Sequence, residues 1–270
     1  MDHKYYLNTT SQCVVAFLDI LGFSAMIEEN DTVKANSKGL VYNWGPIYDS
    51  IVSCFPKEIQ DALGIKFLWV SDSIFITAKI ENTSNLIEAV KTLVHQIFTS
   101  NLSVRGGIAT GSLYFESNLW GTSVVRAVGL EKKAHTPRVI MTVDDYRNLS
   151  PYMDKNYWIQ DGNYYYFNYF NSYFTDWISQ GREAECILSV YAQCIKENFN
   201  RCNKDEHKSK WHYLAKELKR CIIENRDFID NHCKYTKARA MASGIDIDKS
   251  NSDIYLSMFE DALTFMEREN

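Results

Sequence analysis

The sequence predicts an α+β fold in which an antiparallel-rich sheet carries helices on one face. Short apolar runs that are rich in β-branched residues and end at turn residues are typical of strands. Longer segments with apolar residues at helical spacing lie between them. Up to about residue 150 the order of predicted elements is β-α-α-β-β-α-β-β-α-β. This order is that of a ferredoxin-like sandwich, which is built from split βαβ units.

The first half of this order contains a long apolar strand and, later, a tight hairpin. The first strand ends at Asp-Ile-Leu-Gly, and Ser71-Asp72 forms the turn between the next two strands. The segment after that hairpin has the apolar stripe of an amphipathic helix. In order, the predicted elements are strand 13–19, helix 23–29, helix 43–55, strand 65–70, strand 73–78 and helix 84–98.

The second half continues with strands on both sides of Gly111. Apolar residues over 103–110 predict a strand, and a shorter strand follows over 113–115. A helix over 121–134 and a strand over 138–142 complete the sandwich.

Beyond residue 150 the composition changes. Residues 157–174 are unusually aromatic, and Asp161-Gly162 predicts a hairpin within them. From residue 182 onward, apolar residues recur at helical spacing. We therefore predict three regions, which are a core domain over 1–150, an aromatic hairpin extension over 151–180 and a helical C-terminal region over 181–270.

The bulk composition is that of an ordinary globular protein. Of the 270 residues, 46% are hydrophobic and 23% are charged, and the formal net charge is -5. The negative balance argues against a general nucleic-acid binder. The sequence shows neither a signal peptide nor a run of ~18 apolar residues that could span a membrane. The seven cysteines are scattered, which indicates reduced thiols. We expect a cytoplasmic protein without a nucleic-acid or membrane partner.

A carboxylate at the end of a buried strand, Asp19, needs a reason, because burying a lone charge is costly. Asp72 supplies one if it faces Asp19 at the same edge of the sheet. Two such carboxylates suit Mg²⁺ or Mn²⁺, and backbone amides of the turn after Asp19 can bind phosphates. This combination predicts phosphoryl or nucleotidyl transfer with two metal ions. The alternative is that Asp19 is an N-cap and Asp72 a hairpin residue.

Five segments, in order, resemble the motifs of class III nucleotidyl cyclases. FLDILGFS resembles the first metal motif of that family, and WVSDSIFI resembles its Gly-Asp hairpin, with Ser71 in place of the Gly. Three later segments resemble the next strand, the helix and the last strand of that family, in this order. They are VRGGIATGSLY, NLWGTSVVRAVGLEKKA and PRVIMT. The resemblance covers residues 13 to 143. It implies that residues 1–150 are a cyclase catalytic core and that the protein is a homodimer with composite active sites.

The resemblance also assigns roles to individual residues. Asp19 and Asp72 match the two aspartates that bridge the metal ions, two Mg²⁺ or Mn²⁺ per site. The Ile20 carbonyl matches the backbone metal ligand, and Arg138 matches the cation that binds the triphosphate. The turn that holds the phosphates matches Leu21, Gly22, Phe23 and Ser24.

The chain departs from the family at the positions that recognise the purine base and stabilise the transition state. The usual base-reading Lys falls on Leu68, and the matching Asp falls on Asn118. The Asn and Arg that steady the ribose and the transition state fall on Val125 and Gly129. Purine recognition of the usual kind is therefore absent.

Two arginines are candidates to compensate for these losses. Arg126 lies on the same helix, about 100° from the expected face. It either replaces the missing Arg as a catalytic residue or is a surface residue. Arg105 precedes a strand Gly-Gly and could also reach the site, although a structural role is the more common one.

The altered base pocket resembles that of the pyrimidine cyclases of bacterial Pycsar antiphage systems. The resemblance implies that UTP or CTP is cyclised to the 3′,5′-cyclic monophosphate, which then acts on a downstream effector protein. UTP is favoured, because a pocket without a carboxylate has no dedicated acceptor for the cytosine amino group. Tyr48 and Trp69 are candidates to fill the space that a smaller base leaves.

Two other functions remain open. A degenerate homologue would bind a nucleotide without turnover, which Val125 and Gly129 favour. The third possibility is a purine cyclase with a rebuilt base pocket.

Overall fold

The computed structural model of the chain describes residues 12–24, 44–115, 118–233 and 249–265. It divides the chain into two compact units, Met1–Phe167 and Asn168–Asn270. The predicted helix over 23–29 lies mostly outside the described residues, of which Phe23 and Ser24 are helical.

The first unit contains a seven-stranded sheet with the order β2-β3-β1-β4-β7-β9-β8. Neighbouring strands are antiparallel except β4 and β7, which are parallel. The α+β fold is thereby confirmed. The strands are β1 (Cys13–Leu21), β2 (Ile65–Val70), β3 (Ser73–Lys79), β4 (Ser103–Gly111), β7 (Val139–Thr142), β8 (Trp158–Asp161) and β9 (Tyr164–Phe167), with β5 (Tyr114–Phe115) and β6 (Leu119–Trp120) forming a separate pair.

Among the described residues, the first unit has five α-helices with both ends defined, which lie between these strands in the sequence. They are α1 (Trp44–Ser53), α2 (Lys57–Leu63), α3 (Thr83–Thr99), α4 (Thr122–Ala134) and α5 (Val143–Leu149). Helices α1, α3 and α4 match predicted helices. Helices α2 and α5 are short, and their spacing gave no prediction.

The prediction of helices on one face is wrong, because both faces of the central strand are covered. Helix α4 packs over Val15 and Phe17 of β1, in a cluster with Ala127 and Leu130. The residues between them on β1, which point to the other face, are also fully buried. Helix α3 contacts β1, β3 and β4, and we infer that it covers that second face.

The predicted aromatic hairpin is confirmed, and it belongs to the main sheet. Strands β8 and β9 are joined through Gly162, which has φ +58°, and β9 pairs with β7. The aromatic run does not continue as hairpin, because the chain turns helical at Tyr169. Its aromatic residues then recur three and four apart, which is helical spacing. The functional division of the chain into three regions stays a prediction.

The second unit is helical, as the spacing beyond residue 182 predicts. Tyr191 and Tyr255 are among its largest fully buried side chains. Among the described residues, no helix is both long and apolar enough to cross a membrane. The helices that the structure describes in the second unit are α6 (Tyr169–Ser179), α7 (Ala184–Arg201), α8 (Asp205–Glu224), α9 (Arg226–His232), α10 (Asn251–Ser257) and α11 (Glu260–Leu263).

Candidate active site

Asp19 and Asp72 lie at the same end of the sheet. Asp19 pairs with Ser73 across β1 and β3, so the residue before Ser73 lies beside the end of β1. The amide of Ile20 donates a hydrogen bond of 2.9 Å to the carbonyl of Asp72. Because N–H and C=O of one strand residue point to the same side, the Ile20 carbonyl also faces the Asp72 turn. The ladder of β1 and β3 thus brings together the two predicted carboxylates and the predicted backbone ligand.

The turn that presents Asp72 is tight and strained. Only Ser71 and Asp72 separate β2 from β3, and Ser71 has φ +59°. This left-handed conformation costs a non-glycine residue about 1–2 kcal/mol. The Trp69 indole Nε1 donates a 2.6 Å hydrogen bond to the Ser71 carbonyl, which stabilises the turn.

Asp19 is half-buried in a crowded negative environment. Burial raises the pKa of its carboxyl group, and the charges of Glu131 and Asp72 raise it further. The guanidinium of Arg105 partly offsets these effects, with Nη2 at 3.4 Å from Asp19 Oδ2. The same Nη2 contacts Glu131 Oε1. Arg105 therefore lies between two carboxylates.

The close seating of α4 on β4 explains how Glu131 reaches this end of the sheet. A side chain at Gly107 would collide with the backbone of α4 at Ala127. Glu131 follows Ala127 by one helical turn, and Arg105 precedes Gly107 by two strand residues on the same face. The rise from Ala127 to Glu131 along the helix is about 6 Å, and the rise from Gly107 to Arg105 along the strand is about 7 Å, so the two distances are similar. Glu131 thus lies over Arg105, which pairs with Asp19 on β1.

The predicted phosphate turn follows directly after the Asp19 strand. Leu21 ends β1, Gly22 has φ +85°, and Phe23 and Ser24 begin a helix. Within the described residues, a side chain at Gly22 would meet no atom within 4 Å, and Gly22 is exposed. The turn is therefore accessible beside Asp19.

The predicted phosphate cation, Arg138, lies at this end of the sheet but has other partners. Its carbonyl accepts a 3.0 Å hydrogen bond from the Gly106 amide, and the parallel register of β4 and β7 places Arg138 level with Arg105. Its guanidinium bonds Asp161 at 2.6 Å and the Ala134 carbonyl at 3.2 Å. Arg105, for which sequence reasoning favoured a structural role, is the arginine that contacts Asp19.

Arg126 is not part of this cluster within one chain. It donates 2.6 Å and 2.7 Å hydrogen bonds to the Thr110 carbonyl and to Asp145. Thr110 and Arg105 lie five residues apart on β4, which is about 17 Å. Arg126 therefore does not reach Asp19 of its own chain. A role at the site of a second copy stays a prediction.

The predicted base-reading residues are dispersed. Leu68 pairs with Phe75, which pairs with Phe17, so Leu68 shares the face of Asp19. Tyr48 stacks against Trp69, with ring centroids 5.1 Å apart. Because Trp69 points to the opposite face from Leu68, Tyr48 lies away from the Asp19 face of its own chain. Its role beside the base stays a prediction.

Asn118 lies elsewhere again. It is exposed in the turn before β6, in a hairpin that begins just past the Gly111 end of β4. That end of β4 is opposite to the Arg105 end. Asn118 therefore lies away from the two aspartates of its own chain.

The oxygen atoms at the end of β1 fit a hard divalent cation. Two carboxylates and a backbone carbonyl are the ligands that Mg²⁺ takes, together with water and substrate phosphates. A cation would also relieve the negative crowding that raises the pKa of Asp19. Among the described residues, no group of three or more His, Cys, Asp or Glu side chains is placed to hold a metal ion. A cation held by Asp19, Asp72 and the Ile20 carbonyl would complete its coordination with water or with oxygen atoms of a substrate.

Glu131 is a site residue that sequence reasoning missed. It lies on the inner stripe of α4, whose other buried residues are small or apolar. A charged residue on such a stripe requires a partner, because an unpaired buried charge is costly. That signal is present in the sequence, but it does not say which cation is the partner.

Comparisons with known proteins relate the chain to nucleotide cyclases at low similarity. No protein-family model matches it, and no curated protein does. Three solved structures resemble it over 58% of its length. The guanylyl cyclase domain of the RhoGC fusion protein from the aquatic fungus Blastocladiella emersonii is 12% identical, with 94% of that chain covered and a TM-score of 0.41.

The other two structures are at the same level. The guanylyl cyclase Cya2 is 10% identical over 90% of its chain, with a TM-score of 0.40. The adenylyl cyclase CyaB from P. aeruginosa is 15% identical over 93% of its chain, also at 0.40. Similarity at this level does not assign an activity to the chain.

Proposed function

We propose that the protein is a metal-dependent nucleotidyl cyclase that acts on a pyrimidine nucleoside triphosphate, with UTP favoured over CTP. The observation that carries the proposal is the meeting of Asp19 and Asp72 beside an open glycine turn at one end of the sheet. Paired carboxylates next to a phosphate-binding turn are the parts that nucleotidyl transfer requires. The five cyclase-like sequence motifs support the same activity.

The reaction follows from these groups. The ribose 3′-oxygen attacks the α-phosphorus, pyrophosphate leaves, and the proton of the 3′-hydroxyl passes to solvent. Mg²⁺ or Mn²⁺ bound by Asp19, Asp72 and the Ile20 carbonyl would lower the pKa of the 3′-hydroxyl and balance the phosphate charge. The amides of the Gly22 turn would orient the triphosphate. No protein side chain acts as nucleophile.

Arg105 is the better candidate for the cation that binds the phosphates. It contacts Asp19, whereas Arg138 is engaged by Asp161 on the hairpin. A guanidinium beside the metal ligands can bond phosphate oxygens in a bidentate way. Arg138 would have to release Asp161 to do the same.

A homodimer with composite sites accounts for the placement of the remaining residues. Asn118 and Arg126 belong to the end of β4 that is opposite to Asp19, so in this proposal they act on the site of a second copy. Val125, on the same helix, is 74% exposed, and Trp120 is 48% exposed. In this proposal both side chains lie at the interface with the second copy, near Arg126 and Asn118.

The biological role extends the proposal. The cyclic nucleotide would act as an antiphage second messenger on an effector protein in the cytoplasm of a bacterium. This role is supported by the sequence resemblance to the Pycsar pyrimidine cyclases.

A degenerate nucleotide-binding module is the second candidate function. The ties of Arg126 to Thr110 and Asp145 favour it, because they leave no transition-state cation at the usual positions on α4. A purine cyclase with a rebuilt pocket is the third.

Product analysis separates the three functions. The protein is incubated with each of the four nucleoside triphosphates and Mn²⁺, and the products are separated by chromatography. The proposal expects cyclic UMP, lost in Asp19→Asn and in Asp72→Asn. Asp61→Asn, the same substitution in an exposed ion pair with Lys57, is the matched control and should keep full activity. Full activity in either site variant would contradict the mechanism, and turnover by a chain that stays monomeric would contradict the composite site.

A further inference from the structure

Glu131 is a buried carboxylate that the reaction above does not use. It is 4% exposed and contacts Arg105, which in turn lies beside Asp19. We propose that Glu131 is a positioning residue that holds the Arg105 guanidinium away from Asp19 and thereby leaves Asp19 able to bind a metal ion. This inference rests on the proposed function, because it assumes that Asp19 is a metal ligand.

The contacts show which carboxylate holds the guanidinium. Arg105 Nη2 is in direct contact with Glu131 Oε1, whereas Asp19 Oδ2 is 3.4 Å away. A fully formed N⁺–H···O⁻ hydrogen bond measures about 2.7–2.9 Å. Arg105 therefore makes its closer ion pair with Glu131, while its hydrogen bond to Asp19 is long.

Within the described residues, the ion-pair partners of this guanidinium are Asp19 and Glu131. Arg105 Nε is buried and has no hydrogen-bond partner within the described residues. The guanidinium is thus held by the carboxylates on either side of it. Loss of one carboxylate leaves the other as the partner.

Loss of the Glu131 charge would let Arg105 compete with a metal ion for Asp19. A partly desolvated guanidinium that has lost Glu131 will bond Asp19, because an unpaired cation in this position is costly. It would then occupy a carboxylate oxygen that a metal ion needs, and its positive charge would oppose the ion. Glu131 therefore acts on the metal site through Arg105.

The seating of α4 makes this a property of the fold. Gly107 admits the helix backbone so closely that Glu131 is carried down onto Arg105. The glycine that sets this distance and the arginine are both on β4. Together they place the Glu131 carboxylate against the guanidinium.

The test measures Mn²⁺ affinity by calorimetric titration of the whole chain without nucleotide. Glu131→Gln keeps the shape and an oxygen acceptor but removes the charge. It should weaken Mn²⁺ binding roughly tenfold, the lower end of the range for groups that support metal ligands. In Arg105→Gln, Mn²⁺ should bind at least as tightly as in the wild type. The double variant Arg105→Gln/Glu131→Gln should bind Mn²⁺ like Arg105→Gln alone, because the competing cation is gone. Circular dichroism checks that each variant is folded.

The double variant decides between a positioning role and a general charge effect. If Glu131→Gln weakens binding equally with and without Arg105, Glu131 acts on the ion directly and the inference is overturned. Unchanged affinity in Glu131→Gln also overturns it. Glu88→Gln, which removes a carboxylate from the ion pair with Lys91, is the matched control and should leave Mn²⁺ affinity unchanged.

Failure of the proposed function gives a different result. In that case the wild type does not bind Mn²⁺, or Asp19→Asn binds it as tightly as the wild type does. If Asp19→Asn loses Mn²⁺ while Glu131→Gln keeps it, the inference about Glu131 alone is contradicted.

Discussion

Arg126 donates a 2.7 Å hydrogen bond to Asp145, a carboxylate that is fully buried. Asp145 also accepts hydrogen bonds from the amide and hydroxyl of Thr110 and from the hydroxyl of Thr142. Arg126 binds the Thr110 carbonyl as well, so a single side chain ties α4, β4 and α5 together. The arrangement is that of a buried charge compensated by a partly exposed cation.

We expect Arg126→Ala to destabilise the first unit by about 1–3 kcal/mol, the loss that follows when a charged hydrogen-bond partner is removed. The measurement is urea unfolding followed by circular dichroism. Arg126→Lys should recover part of the loss. Arg147→Ala removes an exposed ion pair with Asp144 and serves as the control, with a change of about 0.5 kcal/mol or less. If Arg126→Ala abolishes turnover and leaves the free energy of unfolding unchanged, Arg126 is catalytic and its tie to Asp145 is incidental.

Substitutions of Arg138 and of Arg105 should have different effects on the KM for nucleotide. Arg138 is bound to Asp161, so Arg138→Ala should leave the KM for nucleotide within about twofold, less than 0.5 kcal/mol. Arg105→Gln should raise KM, because it should weaken the binding free energy of the nucleotide by roughly 1.5–3 kcal/mol, the range for a hydrogen bond to a charged group. Steady-state rates against nucleotide concentration give both values. A large rise in KM for Arg138→Ala with none for Arg105→Gln would return the phosphate-binding role to Arg138.

The meeting of Asp19 and Asp72 could be predicted because both depend on local signals. The apolar run of β1 fixes where the strand ends, and the tight turn at Ser71 fixes where the hairpin tip lies. Antiparallel pairing of β1 and β3 then brings the two aspartates to one end of the sheet. A short-range pattern was enough, because Asp19 lies two residues from the end of β1 and Asp72 lies in the turn before β3.

The contacts of the arginines could not be predicted in the same way. The pairing of Arg105 with Glu131 depends on the height and register of α4 over β4, which Gly107 sets. Arg138 finds Asp161 because the hairpin joins the sheet next to β7. Both depend on long-range packing, and the sequence pattern specifies only that a buried charge needs some partner.

The aromatic run shows the same limit at the level of secondary structure. Tyr164 to Phe167 form β9, and α6 begins two residues later at Tyr169. Aromatic residues suit strands, and a continuous run hides the change from spacing two to spacings of three and four. The pairing of β9 with β7 ends the strand, and the helix packs in the second unit.

His95 predicts a pH dependence of stability. It is buried on α3, and burial lowers its pKa to about 4. The unfolded chain has a His pKa of about 6.5, so between these values the unfolded state binds more protons than the folded state. The free energy of unfolding should therefore fall as the pH drops from about 6.5 to about 4, by up to about 3 kcal/mol.

Urea unfolding at pH 7.5 and pH 5 measures this loss. His95→Phe removes the titrating group, so its stability should change less between the two pH values than that of the wild type. His207→Gln, at an exposed position on α8, should keep the wild-type pH dependence. Parallel pH profiles for His95→Phe and the wild type would show that other groups control acid stability.

The base preference is the prediction that separates a pyrimidine cyclase from the purine cyclases that the chain resembles in structure. Leu68 lies on the face of Asp19 with no charge to offer a base, and Asn118 is the exposed polar group that we propose a second copy presents. An amide both donates and accepts, so it can bond the edge of uracil or of cytosine. We expect cyclic UMP as the main product, cyclic CMP as a minor one, and negligible cyclic AMP and GMP.

Asn118→Asp should shift the preference toward CTP or ATP by about 1–3 kcal/mol, because a carboxylate accepts from an exocyclic amino group. Competition between nucleotide pairs at equal concentration measures the shift, with Asn156→Asp, an exposed site that adds the same charge, as the control. Comparable turnover of ATP by the wild type would overturn the pyrimidine preference and leave the metal-dependent cyclisation intact.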